Sequence, residues 1–174
     1  MPRLRKGLVQ VYTGGGKGKT TAALGLALRA LGHGLRVYMI QFLKKGFKYG
    51  EISALKQFPN FKFVQFGRGV YLKKSTARDV KLAGKALEHS RAIMRGKKYD
   101  VVILDEVNMA MSLKLIKVDE VVSLIESKPA KVELILTGRG APPEIIEKAD
   151  LVTEMVEVKH PLLEGVLGRF GIEY

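Results

Sequence analysis

The chain has 174 residues, 47% of them apolar and 27% charged, a balance that suits a single α/β domain spanning 1–174 and excludes a disordered chain. It contains no cysteine, which excludes disulfides, thiolate metal sites and cysteine nucleophiles and points to a reducing, cytoplasmic setting, while its three scattered histidines argue against a histidine metal site. The net charge is +13, and no uncharged apolar run is long enough to cross a membrane.

Taken in chain order, Leu8 to Tyr12 reads as an apolar strand that ends in a glycine-rich turn. That turn, Gly14-Gly15-Gly16-Lys17-Gly18, feeds Lys19-Thr20-Thr21, where a helical pattern over 19–32 begins. Strand, glycine-rich loop and helix together form a phosphate-binding context. The glycines let backbone N–H groups converge on phosphate oxygens, a curvature that side chains would block. Lys19 supplies a point charge, Thr20 a hydroxyl for Mg²⁺, and the helix start its positive dipole end. Thr13 stands where the general pattern has its first glycine, so the match is to a variant of the loop. These residues predict binding of a nucleoside triphosphate.

Strand-like runs recur at Val37–Gln41, Phe61–Phe66, Val101–Leu104, Val132–Leu136 and Leu151–Val156, and helical patterns lie at about 50–57, 76–95, 118–127 and 142–148. Alternation of this kind predicts a three-layer P-loop NTPase (RecA-like) fold: a mostly parallel sheet of about six strands with helices on both faces. Ligands in such sheets sit beyond the carboxyl ends of the strands. The irregular stretches 42–50 and 67–75 each follow a strand, so they are expected to overhang that edge as substrate loops.

Val101-Val102-Ile103-Leu104 reads as a buried strand that delivers Asp105 and Glu106 to the same edge. Asp105 is the favoured carboxylate for the shell of a Mg²⁺ held by Thr20. Glu106 has two readings: in an ATPase it would orient or deprotonate the attacking water, and in a group transferase it would be a second metal-shell residue. Leu134-Ile135-Leu136-Thr137 then leads into Gly138-Arg139-Gly140, an exposed and aimable arginine suited to phosphate, ribose or carboxylate.

The charge is divided along the chain. Residues 1–100 hold 22 Lys/Arg against 4 Asp/Glu, giving +18, and residues 101–174 hold 8 against 13, giving −5. Lys44, Lys45 and Lys48 form one cluster, and Arg68, Lys73, Lys74 and Arg78 another. Such a face either solvates the protein or steers an anionic partner.

Laid end to end, the motifs TGGGKGKTTAALGLALRALGHG, VYMIQFLKKG, YDVVILDEVNMA, LILTGRG, ADLVTEMVEVKHP and the closing GIEY resemble the P-loop ATP:corrinoid adenosyltransferases, over nearly the whole chain. The resemblance implies transfer of the 5′-deoxyadenosyl group of ATP to a corrinoid reduced to Co(I), with release of triphosphate. By matching motif, Gly14, Gly15, Gly16, Lys17, Gly18, Lys19 and Thr20 would form the ATP loop, with Thr21 and Arg29 supporting phosphate contacts. Asp105 and Glu106 would complete the Mg²⁺ environment, and Arg139 would lie near the nucleoside. The resemblance also implies a homodimer and an acidic flavodoxin-like reductase as electron donor. One segment departs from the family pattern: where better-known members carry an aromatic pair against the corrinoid, this chain has Val70, Tyr71 and Leu72, and it has no tryptophan. The alternative reading is a RecA-like ATPase that binds nucleic acid through the basic half. Against it, no basic segment interleaved with aromatic residues forms a stacking platform.

Overall fold

In a computed structural model that describes residues 4–46, 49–68 and 75–173, six strands form one sheet. They are β1 (Val9–Thr13), β2 (Val37–Leu43), β3 (Phe61–Gly67), β4 (Val101–Asp105), β5 (Glu133–Thr137) and β6 (Leu151–Glu154). Their spatial order is β3-β2-β4-β5-β1-β6, and every pairing is parallel. Parallel pairing requires crossovers, and the helices that supply them cover both faces. The fold is the three-layer P-loop NTPase-like arrangement expected from the alternation.

Strand alternation sorts the core. Val102 and Leu104 of β4 join Ile40, Phe42, Leu134 and Leu136 in one cluster, sealed by α3 (Ala77–Arg95), α4 (Val107–Ser112) and α5 (Val118–Glu126), with Ile145 of α6 (Pro143–Glu147). Val101 and Ile103 point the other way, toward Met39 and Ile135 and under α1 (Lys19–Gly32) and α2 (Gly50–Leu55). All five residues of β4 are buried, as a central parallel strand requires. The four-residue β6 is exposed throughout, as an edge strand at the border of the sheet.

Several local features differ from the sequence expectation, among them β2, which runs on through Phe42 and Leu43 into the stretch 42–50 expected to be irregular. The helix α4 was not expected: six residues are too few to establish a period. The last strand stops at Glu154 rather than Val156, because the next residue pairs with the glycine-rich loop after β1. Met155 N–H donates to the Thr13 carbonyl at 2.9 Å, and its own carbonyl accepts from Gly16 N–H at 2.7 Å. Beyond them the tail, including the short 3₁₀ turn Pro161–Glu164, lies on the surface. Among the described residues no helix is long and apolar enough to cross a membrane.

Candidate active site

The loop after β1 is shaped by what lies beneath it. A side chain at Gly14 or Gly16 would overlap the Met155 backbone, and Gly18, at φ 114°, occupies the left-handed region where it caps α1. Gly15 faces open space. Lys19, in the first turn of α1, folds back over the loop and donates to the carbonyls of Gly14 and Gly16 at 2.8 and 2.6 Å. Burial lowers its pKa, the Glu106 carboxylate opposes that shift, and the Arg139 guanidinium adds to it. Those mutual effects place Lys19, Glu106 and Arg139 in one electrostatic neighbourhood.

Asp105, at the end of β4, is the hub of the site and is wholly buried. Its Oδ1 accepts from the hydroxyls of Thr20 at 2.8 Å and Thr137 at 2.7 Å. Its Oδ2 accepts from Gln41 Nε2 at 3.0 Å and Lys44 Nζ at 2.9 Å. A carboxylate offers about four lone-pair sites, so this one is filled. Burial alone would raise the Asp105 pKa, but Lys44 and the hydroxyl donors outweigh it and hold the carboxyl below its ordinary value. Lys44 shows the counterpart: burial pulls the ammonium down, and Asp105 pushes it above its usual range.

Thr137 also accepts from the Glu106 backbone N–H at 3.0 Å, which pins a left-handed residue, φ 63°, at the start of α4. A non-glycine residue held there is strained and aimed. Among the described residues the Glu106 carboxylate has no hydrogen-bond partner, and burial followed by the nearby Asp105 charge raises its pKa. Asn108, two residues on, is wholly buried; its amide reaches the Gly138 carbonyl at 3.4 Å and its Oδ1 has no partner among the described residues.

The structure therefore unites Gly14, Gly16, Gly18, Lys19, Thr20, Asp105, Glu106 and Arg139 at the carboxyl edge. Lys17 and Thr21 are exposed beside the loop, Lys17 in an ion pair with Glu173 at 2.9 Å. Arg29 stands apart in the last turn of α1, about 15 Å along the axis from Lys19 at 1.5 Å per residue. Val70, Tyr71 and Leu72, like Lys48, Lys73 and Lys74, lie outside the described residues. Sequence reasoning missed Gln41, Lys44 and Thr137 as parts of the Asp105 network. Lys44 was legible only as one of a basic cluster.

An all-parallel three-layer sheet with this loop and carboxylate at its carboxyl edge defines a protein of the P-loop NTPase-like class. Within that class the chain belongs to the family described as ATP:corrinoid adenosyltransferase BtuR/CobO/CobP, whose sequence model matches residues 5–174. It is 40% identical over 173 residues to a corrinoid adenosyltransferase of Sinorhizobium sp, covering 97% of this chain and 81% of that one. The corrinoid adenosyltransferase of Pseudomonas aeruginosa is 35% identical over 174 residues, covering 99% of this chain and 86% of its own length. That of Escherichia coli (strain K12) is 34% identical over 170 residues, with 97% and 86% covered. Membership makes the chain an adenosyltransferase that acts with ATP on corrinoids.

Proposed function

We propose that the carboxyl edge of this sheet holds ATP with its triphosphate on the loop 14–20 and its C5′ carbon toward a Co(I) corrinoid. Cobalt attacks that carbon, a Co–C bond forms as the C5′–O bond breaks, and triphosphate leaves. Co(I) is itself a strong nucleophile, so the protein needs neither a nucleophile nor a general base. Its tasks are to hold the two reactants in line and to neutralise charge growing on the leaving group. The observation that carries this reading is Lys19, buried in the loop by two carbonyls that a phosphate oxygen would replace as its partner. Loop amides, Thr21 and Lys17 border the same phosphates, and Arg139 approaches from the β5 side toward the nucleoside.

The residues present fit Mg²⁺. Thr20 donates its proton to Asp105, leaving oxygen lone pairs for a cation, and Glu106 offers a hard carboxylate with no competing donor among the described residues. Thr20 and Glu106 would hold the ion with triphosphate oxygens and water, and Asp105 would orient the Thr20 hydroxyl from behind. When bound, the ion supplies positive charge to the leaving triphosphate. The roles of Val70, Tyr71 and Leu72 at the corrinoid, a homodimeric state, a cytoplasmic location and an acidic flavodoxin-like electron donor for the basic half belong to the same reading by resemblance.

The test is to supply ATP, Mg²⁺ and chemically reduced corrinoid and to identify the phosphorus product. Triphosphate with a corrinoid spectral change is expected, and Lys19→Ala is expected to lower kcat/KM by about 10²–10³. Orthophosphate released on addition of nucleic acid would select the ATPase reading instead, with Glu106 activating water. A folded Lys19→Ala protein as active as its parent would remove the basis of the proposal.

A further inference from the structure

Two adjacent lysines are sent to different places by one strained turn. Leu43 has φ 62°, and the Lys44 N–H closes back on the Phe42 carbonyl at 2.7 Å, a γ-turn that reverses the chain at the end of β2. Gly67, at the end of the neighbouring β3, permits it, since a side chain there would overlap the Leu43 and Lys44 backbone. Lys44 is thereby turned inward onto Asp105. Lys45 is left to line a cleft of about 270 Å³ with Gly67, Arg68 and Arg78.

Among the described residues three cations line this cleft and one carboxylate answers them. Arg68 holds Asp79 through two bonds, 2.7 and 2.8 Å, and Asp79 also accepts from the backbone and hydroxyl of Thr76. That carboxylate is buried and satisfied. Lys45 and Arg78 are exposed and have no ion-pair partner among the described residues, so those residues give the cleft an excess of two positive charges. β3 lies four strand places from β1, about 19 Å at about 4.8 Å per place, further than a triphosphate on the loop after β1 extends. The anion that fits here therefore belongs to a second reactant. Two cations without an ion-pair partner among the described residues, beside an arginine in one small cleft, suit a single phosphate group better than the broad acidic face of a protein.

We propose that Lys45, Arg68 and Arg78 form a subsite for a phosphate carried on the periphery of the corrinoid acceptor, selecting acceptors that bear one. This rests on the adenosyl-transfer reading, because it takes the second reactant to be a corrinoid. The γ-turn couples the two sites: the residue before Lys45 reaches the hub beside the triphosphate, so one segment spans both substrates.

The experiment compares cobalamin, whose nucleotide tail carries a phosphodiester, with cobinamide, which has none, both reduced chemically. The variants are Arg78→Glu and Lys45→Glu, exposed positions whose melting temperatures serve as folding controls. Arg68 is left intact because its loss would strand the buried Asp79. KM for cobalamin is expected to rise about fivefold to tenfold in either variant, with kcat, KM for ATP and KM for cobinamide unchanged. Arg78→Lys should restore most of the loss. An equal rise for both acceptors, or no rise for either, overturns the subsite while leaving adenosyl transfer intact. A defect seen only when a reductase protein supplies the electrons also overturns it and gives the cleft to a protein partner. If the unaltered chain adenosylates neither acceptor, the function reading fails first and takes the subsite with it.

Discussion

Two ammonium–carboxylate pairs in this molecule have the same length and different consequences. Lys44–Asp105 and Lys17–Glu173 are both 2.9 Å apart, and both lie beside the loop 14–20, one from inside the sheet and one from the chain's tail. The first pair is 20% and 0% exposed at its two side chains, the second 52% and 25%. In the interior the charges cannot fall back on water, so removing one partner strands the other; on the surface water replaces either partner at little cost. Burial, not distance, separates a pair that shapes the site from one that rests on it.

The comparison breaks most visibly at Asp105. Asparagine there cannot accept four bonds and leaves Lys44 without its counter-charge. Asp105→Asn is expected to cost about 3–5 kcal/mol, or roughly 10 °C in melting temperature, and to lower kcat/KM by at least about tenfold through the disoriented Thr20. Denaturant unfolding and steady-state kinetics on the same sample check both. A cost below about 1 kcal/mol would show that the hub tolerates solvent and would erase the contrast with the tail. Lys44→Met follows, at about 2–3 kcal/mol, because Gln41, Thr20 and Thr137 still donate to the stranded carboxylate.

That ordering bears on what the sequence could disclose. β4 was legible because Val101–Leu104 is an uninterrupted apolar run followed by two carboxylates, and a fully buried parallel strand has no other pattern. The loop 14–20 was legible because its function depends on local backbone geometry, which glycine spacing encodes. The hub's other donors were not. Gln41 of β2, Lys44 in the turn after it and Thr137 of β5 reach Asp105 across 32 to 64 residues of sequence, and only the strand order β2-β4-β5 brings them together. Lys44 was further disguised, since a γ-turn with a leucine at positive φ carries no compositional signal; glycine or asparagine would have announced it. The tail's part in supporting Gly14 and Gly16 was equally hidden, because it is made by the Met155 backbone and by no side-chain type.

Glu106 sharpens the interior side of the contrast with an effect of opposite sign. Burial and the Asp105 charge raise its pKa above the ordinary 4.5, so its ionised form is less favourable in the folded protein than in the unfolded chain. Such a group costs nothing below about pH 4.5 and weakens the fold as pH climbs through its folded value. Glu106→Gln should therefore melt with the parent in acid and above it at pH 7–8, while the Mg²⁺ role proposed for Glu106 requires adenosyl transfer to fall by about tenfold or more. Parallel melting curves at all pH values would mean that the carboxylate sits in water-like surroundings.

The smallest effects belong to the tail. Glu173→Gln is expected to move the melting temperature by no more than about 1 °C and KM for ATP by less than about twofold, because both partners are open to solvent. What distinguishes the pair is its acid range. Hydrogen bonds from Arg169 and then Lys17 hold the Glu173 carboxyl at about 2, down from 4.5. A depressed carboxylate makes its contribution above its unfolded pKa and loses it as pH falls through the folded one, so this tether should be complete above about pH 4.5 and fade only toward pH 2. A carboxyl-carbon NMR titration reads the midpoint directly. A midpoint near 4.5 would mean that the tail leaves the loop in solution, and Lys17 would then be free to meet phosphate from the outset.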